Sequence, residues 1–196
     1  AIALVLTIMS MLDYLVKARH LLKRSTPKAD SAPAAGTGER PTEVAALQRA
    51  IDAEARIVVE RAGERGLTVG TAESLTGGLI AAMLTAVPGS SAVVRGGVVS
   101  YVNDVKEQVL GVSGDVLSRQ GAVDELVALQ MARGALRELA CDVTVSVTGI
   151  AGPTGAEPGK PVGTVWVAVA TAEGARAERL ELEGDRAQVR QASVVE

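Results

Sequence analysis

Ser74, Tyr101 and Lys106 have the residue types and settings that acyl-transfer chemistry needs. Ser74 sits in Ala72-Glu73-Ser74-Leu75-Thr76-Gly77-Gly78, where a short apolar run gives way to a small-residue helix pattern. Paired glycines let the backbone turn tightly and let other groups come close. A helix opening there aims unpaired N–H groups above the turn, and such donors suit an anion or a developing oxyanion. The N–H groups around Thr76, Gly77 and Gly78 are the expected oxyanion hole. The same residues also fit a plainer role, because Ser and Thr ahead of a helix act as N-caps.

A serine hydroxyl needs a base. His20, the single histidine, lies in a basic flank, so a Ser-His-Asp triad is not expected. The alternative base lies in Ser100-Tyr101-Val102-Asn103-Asp104-Val105-Lys106. A Tyr leaving a strand and a Lys on the next helical turn can face one site. Hydrolases with a lysine base work because burial or a neighbouring cation lowers the lysine pKa and leaves a neutral amine. The tyrosine hydroxyl can relay or orient the proton. Spacing alone leaves open that Lys106 lies on a solvated helix face and that Tyr101 is a core residue with its hydroxyl at the edge. Gly155-Ala156-Glu157-Pro158-Gly159-Lys160-Pro161 looks like a phosphate loop but has too few residues between its glycines and Pro after Lys. It reads as a mobile flap beside the site.

The positioning elements follow from periodicity and punctuation. Val44, Leu47, Ile51, Ala55, Val58 and Ala62 recur at helical spacing after Thr42. Residues 67–71 form a strand into the Ser74 turn, and 76–87 form a helix. A second strand covers 93–102, with Gly96-Gly97 suggesting a bulge or close backbone approach. Asn103 is expected to cap a helix over 104–110, with a further helical turn at 115–119. Asp124 caps a helix with Val127, Met131, Ala135 and Leu139 on one face. Residues 143–147 read as a buried strand ending in the glycine turn 148–153. Strands at 162–171 and 175–182 form a hairpin, and Asp185 starts a last helix. Interleaved helices and strands predict an α/β fold, a three-layer sandwich with a mixed central sheet and helices on both faces. The Ser74 turn, the end of the Tyr101 strand and the 148–153 turn are all strand C-terminal ends, where ligands gather in such sheets.

Composition narrows the chemistry further. The 196 residues are 47% apolar, with no Phe, one Trp and two Tyr, and the net charge is −3. Neither base stacking nor a basic footprint is available, so no nucleic-acid partner is expected. One cysteine, Cys141, excludes an internal disulfide and a Cys/His zinc cluster. No cofactor and no metal are expected. Residues 1–12 form an uncharged apolar run, followed by a basic flank of Lys17, Arg19, Lys23, Arg24 and Lys28. The run is shorter than the roughly 20 residues of a full span. It reads as the end of a transmembrane helix (1–24, with its flank) in a chain cut from a longer one. A signal peptide or an ordinary buried helix are the other readings. The positive-inside tendency places the rest in the cytoplasm, tethered to the membrane in the longer chain. Residues 25–41 are a Pro-, Ala- and Ser-rich linker, leaving 42–196 as the folded domain.

Two resemblances follow. Residues 1–24 resemble the C-terminal end of bacterial CDP-alcohol phosphatidyltransferases of the phosphatidylglycerophosphate synthase type, without that family's Asp-rich signature. From about residue 44 onward the motifs occur in a fixed order: Ala72 to Gly78, Ser100 to Lys106, Gly121-Ala122-Val123, Thr148-Gly149-Ile150-Ala151-Gly152-Pro153, Lys160 to Trp166, and Gly184-Asp185-Arg186. This order resembles the C-terminal domain of the CinA (competence-damage protein) family, the PncC-type nicotinamide-nucleotide amidase. The resemblance implies hydrolysis of the carboxamide of nicotinamide mononucleotide to nicotinate mononucleotide and ammonia. It matches Ser74 to the nucleophile and Tyr101 and Lys106 to its activating pair. Thr148, Gly149, Gly152 and Arg186 are the candidates for ribose and phosphate. A homo-oligomer is expected. The chain departs from the family at Leu75, where Cys is usual, and in a shorter final helix. It also departs in lacking the N-terminal CinA domain, to which the family's ADP-ribose pyrophosphatase activity belongs. The competing reading is a nucleotide-binding or structural domain without turnover, fused to a phospholipid-synthesis enzyme.

Overall fold

The computed structural model describes residues 40–195, with side chains from residue 49. The apolar run, the basic flank and the linker up to residue 39 lie outside the described residues. Val44–Val195 form one compact unit. Among the described residues, no helix is long and apolar enough to cross a membrane.

The described residues form six α-helices and five strands. They are α1 (Arg40–Glu64), β1 (Val69–Glu73), α2 (Leu79–Ala86), β2 (Val94–Val99), α3 (Asn103–Leu110), α4 (Gly114–Gln120), α5 (Glu125–Glu138), β3 (Val143–Gly149), β4 (Thr164–Thr171), β5 (Gly174–Glu181) and α6 (Arg186–Val195). The sheet order is β2-β1-β3-β4-β5. β1 runs parallel to both β2 and β3, while β4 and β5 are antiparallel to their neighbours. The mixed sheet is the expected one. β1 lies in the middle of the parallel half, so its C-terminal end opens between the ends of β2 and β3.

Apolar burial on both faces makes the three layers. Ala55, Val59 and Ala62 of α1 pack with Leu84 of α2 and Val69 on one face. On the other, Val127, Met131 and Ala135 of α5 pack with Leu110, Leu117 and Ala72. Val189 of α6 closes a third cluster with Leu75, Val147, Val165 and Leu180. The face of β3 toward α5 is polar: Thr144 and Ser146, both buried, donate to the Ala132 and Ala128 carbonyls at 2.7 Å each. Their hydroxyls are thereby satisfied, which removes the cost of burying them.

Several expected boundaries move. β1 runs to Glu73, so the residue before Ser74 belongs to the sheet. α2 starts at Leu79, because residues 75–78 are turn. Asn103 is the first residue of α3 and makes no cap bond, Val102 being the cap position. The β1/β2 bulge falls between the Val69↔Val94 and Gly70↔Gly96 pairs, at Arg95. The close approach is at Gly97, where a Cβ would lie 2.4 Å from Thr71 Oγ1. Asp124 and Asp185 cap their helices as read, accepting from Leu126 N–H and from Ala187 and Gln188 N–H.

α3 and α5 touch backbone to backbone at Gly134, where a Cβ would stand 2.0 Å from the Leu110 carbonyl oxygen. Gly134→Ala gains helix propensity of about 1 kcal/mol but forces the two helices apart, an overpacking cost of up to ~3 kcal/mol. A net loss in urea-unfolding free energy is expected, with α3 and its Lys106 displaced. A variant as stable as the parent chain would contradict the contact.

Candidate active site

The site is built at the C-terminal end of β1. Ser74 N–H donates to Val147 O at 3.0 Å, and Ser100 N–H donates to Glu73 O at 2.8 Å. The two parallel ladders thus extend to Ser74 itself. Ser74 O then accepts from Gly77 N–H at 3.0 Å, closing a tight turn. Gly77 and Gly78 adopt φ of 65° and 97°, a left-handed conformation that glycine adopts at little cost. Ser74 is buried, with 8% of its surface exposed.

Lys106 comes to the same point from α3. It is 1% exposed, and its Nζ lies 3.1 Å from Ser74 Oγ, 2.6 Å from Ser100 O and 3.4 Å from Tyr101 O. Burial lowers its pKa from 10.5 to about 8. In its neutral form the amine has two hydrogens, which the two carbonyls can accept. Its lone pair is then left for the Ser74 proton. The solvated-face reading of Lys106 does not hold.

Glu73 is the residue that sequence reading passed over. It is fully buried and accepts five hydrogen bonds. Thr71 Oγ1 and Ala81 N–H donate to Oε1; Thr76 Oγ1, Gly78 N–H and Ile80 N–H donate to Oε2. The carboxylate caps α2 from within the preceding strand, where an anion is favoured by the unpaired donors and the helix dipole. This corrects the expected oxyanion hole at Gly77 and Gly78. Gly78 N–H is committed to Glu73, Gly77 N–H to Ser74 O, and Thr76, 0% exposed, turns its hydroxyl to Glu73. The anion that the helix start attracts is the chain's own side chain.

The remaining predicted residues divide. Tyr101 brings its carbonyl to Lys106, but its ring is 56% exposed and its hydroxyl accepts from Arg186 Nη2 at 2.8 Å. The structure does not bring that hydroxyl to Ser74 or Lys106, because Arg186 holds it. Arg186 Nη1 also donates to Gly152 O at 2.9 Å. Arg186 therefore bridges the end of β2 to the loop after β3, on either side of Ser74. Thr148 is spent on Ala122 O at 2.7 Å. Gly149 is a packing residue, since a Cβ there would lie 2.7 Å from Val165 Cγ2. The 155–161 segment is tied down rather than free: Lys160 Nζ donates to Gln120 O, and Arg179 Nη2 donates to Gly159 O. Among the described residues, no group of three His, Cys, Asp or Glu side chains is placed to hold a metal ion.

A family model for the CinA C-terminal domain matches residues 51–196. The chain belongs to that family. Among relatives of the CinA domain is a CinA-like protein of Gemmatimonas aurantiaca, 46% identical over 136 residues (69% of this chain and 32% of that protein). Another, from Mycolicibacterium gilvum, is 53% identical over 129 residues, or 65% of this chain and 31% of that protein. The chain spans about a third of the length of these relatives. The solved competence/damage inducible protein CihA of Agrobacterium tumefaciens is similar with a TM-score of 0.73 and 44% identity, over 74% of this chain and 90% of that one. A CinA superfamily protein of Escherichia coli is similar with a TM-score of 0.72 and 34% identity, over 74% and 84% of the two chains. The CinA match begins at residue 51 and lends no support to the phosphatidyltransferase resemblance of residues 1–24.

Replacing Glu73 tests the cap directly. Glu73→Gln supplies one acceptor oxygen where two are used and points an amide N–H₂ at backbone donors. Buried donors left unsatisfied cost about 1–3 kcal/mol each, so the CinA domain is expected to lose about 3 kcal/mol in urea unfolding. A loss within error of zero would show that the five bonds do not hold the turn.

Proposed function

We propose that this domain is a serine amidase that hydrolyses the carboxamide of nicotinamide mononucleotide, giving nicotinate mononucleotide and ammonia. The observation that carries the reading is the buried Ser74–Lys106 pair, with Nζ 3.1 Å from Oγ. The substrate comes from the resemblance to nicotinamide-nucleotide amidases. Neutral Lys106 takes the Ser74 proton as Oγ attacks the carboxamide carbon. The tetrahedral intermediate collapses by breaking the C–N bond, and the Lys106 ammonium protonates the leaving amide nitrogen, which departs as ammonia. Water, deprotonated by the same amine, then attacks the acyl-enzyme and releases the carboxylate and Ser74. The oxyanion falls to N–H groups outside the Glu73 cap. Leu75 N–H, next to the nucleophile, has no hydrogen-bond partner among the described residues.

The direction of the Lys106 shift fixes the pH dependence. Below about pH 8 the amine is protonated and cannot accept the serine proton. kcat/KM, followed as ammonia release, should rise with pH through an apparent pKa of about 8 and level off above it. Ser74→Ala should abolish turnover in a domain that still unfolds cooperatively. Full activity in that folded variant would sink the mechanism, and a flat profile from pH 6 to 9 would remove Lys106 as base.

Arg186 is the proposed phosphate contact, since its fork has donors left after Gly152 and Tyr101 are served. Arg186→Ala should raise KM for the mononucleotide roughly tenfold or more, the scale of one charge-assisted contact, with much less effect on nicotinamide riboside. Equal effects on both substrates would assign Arg186 to the Tyr101–Gly152 bridge alone.

A further inference from the structure

The turn that carries Ser74 is held from two sides. Glu73 binds the donors that follow it, and Arg190 of α6 binds the acceptors within it. Arg190 Nε donates to Leu75 O and Nη2 to Thr76 O, both at 2.9 Å. The guanidinium is half-buried and lies against Gly77, where a Cβ would stand 3.4 Å from Nη2. None of the ion pairs among the described residues involves it. The side chain before it, Val189, is fully buried beside Leu75, so α6 is docked where the fork must act.

Leu75 and Thr76 are the central residues of the turn closed by the Gly77 N–H to Ser74 O bond. The two common forms of such a turn differ in the orientation of the peptide between those residues. That peptide carries the Leu75 carbonyl, which Nε holds. The next peptide, carrying the Thr76 carbonyl, leads into Gly77 and Gly78, where side chains impose no restraint on the backbone. A planar guanidinium with two donors in fixed relation holds both peptide planes at once, which a lysine ammonium cannot do.

We propose that Arg190 is a positioning residue for the nucleophile: by holding the Leu75 and Thr76 carbonyls it fixes the turn that aims Ser74 Oγ at Lys106 Nζ. This rests on Ser74 acting as the nucleophile. The effect is on the rate of attack and not on substrate affinity, because Arg190 reaches the turn's carbonyls and not the opening above Ser74.

The test compares the parent chain with Arg190→Ala and Arg190→Lys. The first measurement is the rate at which phenylmethanesulfonyl fluoride labels Ser74, located by peptide mass. In that reaction the Oγ–S bond forms, the S–F bond breaks, fluoride leaves and the serine proton passes to Lys106. The second is kcat and KM for nicotinamide mononucleotide, with the folded fraction from the melting curve. Per folded molecule, labelling and kcat should fall about 30-fold or more in both variants, on the scale of an ångström misplacement. KM should stay within about threefold, as expected when only the reacting geometry is lost. Added guanidinium ion at non-denaturing concentration should restore part of the Arg190→Ala rate. Labelling at the parent rate in either folded variant overturns the proposal. So does a rate loss that only tracks the folded fraction and does not respond to guanidinium. If Arg190→Ala does not fold, Arg190→Lys decides by the same labelling ratio. A parent chain that labels at Ser74 but releases no ammonia from the mononucleotide refutes the substrate reading and leaves the Arg190 ratio decisive. A parent chain that never labels at Ser74 overturns both.

Discussion

A single buried carboxylate organises the end of this sheet where Ser74 and Lys106 meet. Glu73 has no contact with solvent, and an unpaired buried anion would be costly. It is kept by five donors drawn from the residues just before and after it. Meeting that demand forces the chain to turn immediately after β1. It also starts α2 at a fixed place and leaves Ser74 on the outside of the turn. A shorter acid at the same place would not reach donors as far along the chain as Ala81.

The second buried ionisable group is treated in the opposite way. Among the described residues, Lys106 bonds to a hydroxyl and two carbonyls and to no carboxylate. Neutral dipoles compensate an ammonium less well than water does, so burial pushes its proton off, to a pKa of about 8. Glu73 is next to Ser74, yet its oxygens are taken by Thr71, Thr76 and the backbone donors at the start of α2. Had that carboxylate faced Lys106, the lysine would be held charged and could not serve as a base. The same short segment therefore supplies an anion that supports the fold and a hydroxyl left free for chemistry.

Ser74 and Lys106 were legible because glycine pairs and a strand-to-helix transition are local signals. The layers followed from the Val127, Met131 and Ala135 stripe and from the apolar strands. What local signals cannot carry is which group answers which. Gly77 and Gly78 looked like free anion donors, since nothing in their own types says that the Ser74 carbonyl has taken the first N–H and the Glu73 carboxylate the second. Tyr101 looked like a relay because its distance in sequence to Arg186 hides a 2.8 Å bond. Arg190 was invisible for the same reason: its acceptors are backbone carbonyls 114 and 115 positions away. Asp124 and Asp185, whose caps span two or three residues, were read without difficulty.

Both arginines of α6 reach across the sheet to segments made much earlier in the chain, Arg186 to Tyr101 and Arg190 to Leu75. Contacts between residues close in sequence form before those that must close long loops. During synthesis the Ser74 turn and the α3 lysine emerge well before the helix that contacts the turn. The Arg190 bonds to the turn can therefore form only once α6 has docked through Val189. A nascent or frayed chain would carry Ser74 and Lys106 without those two bonds, so the state of the turn reports on whether α6 has docked.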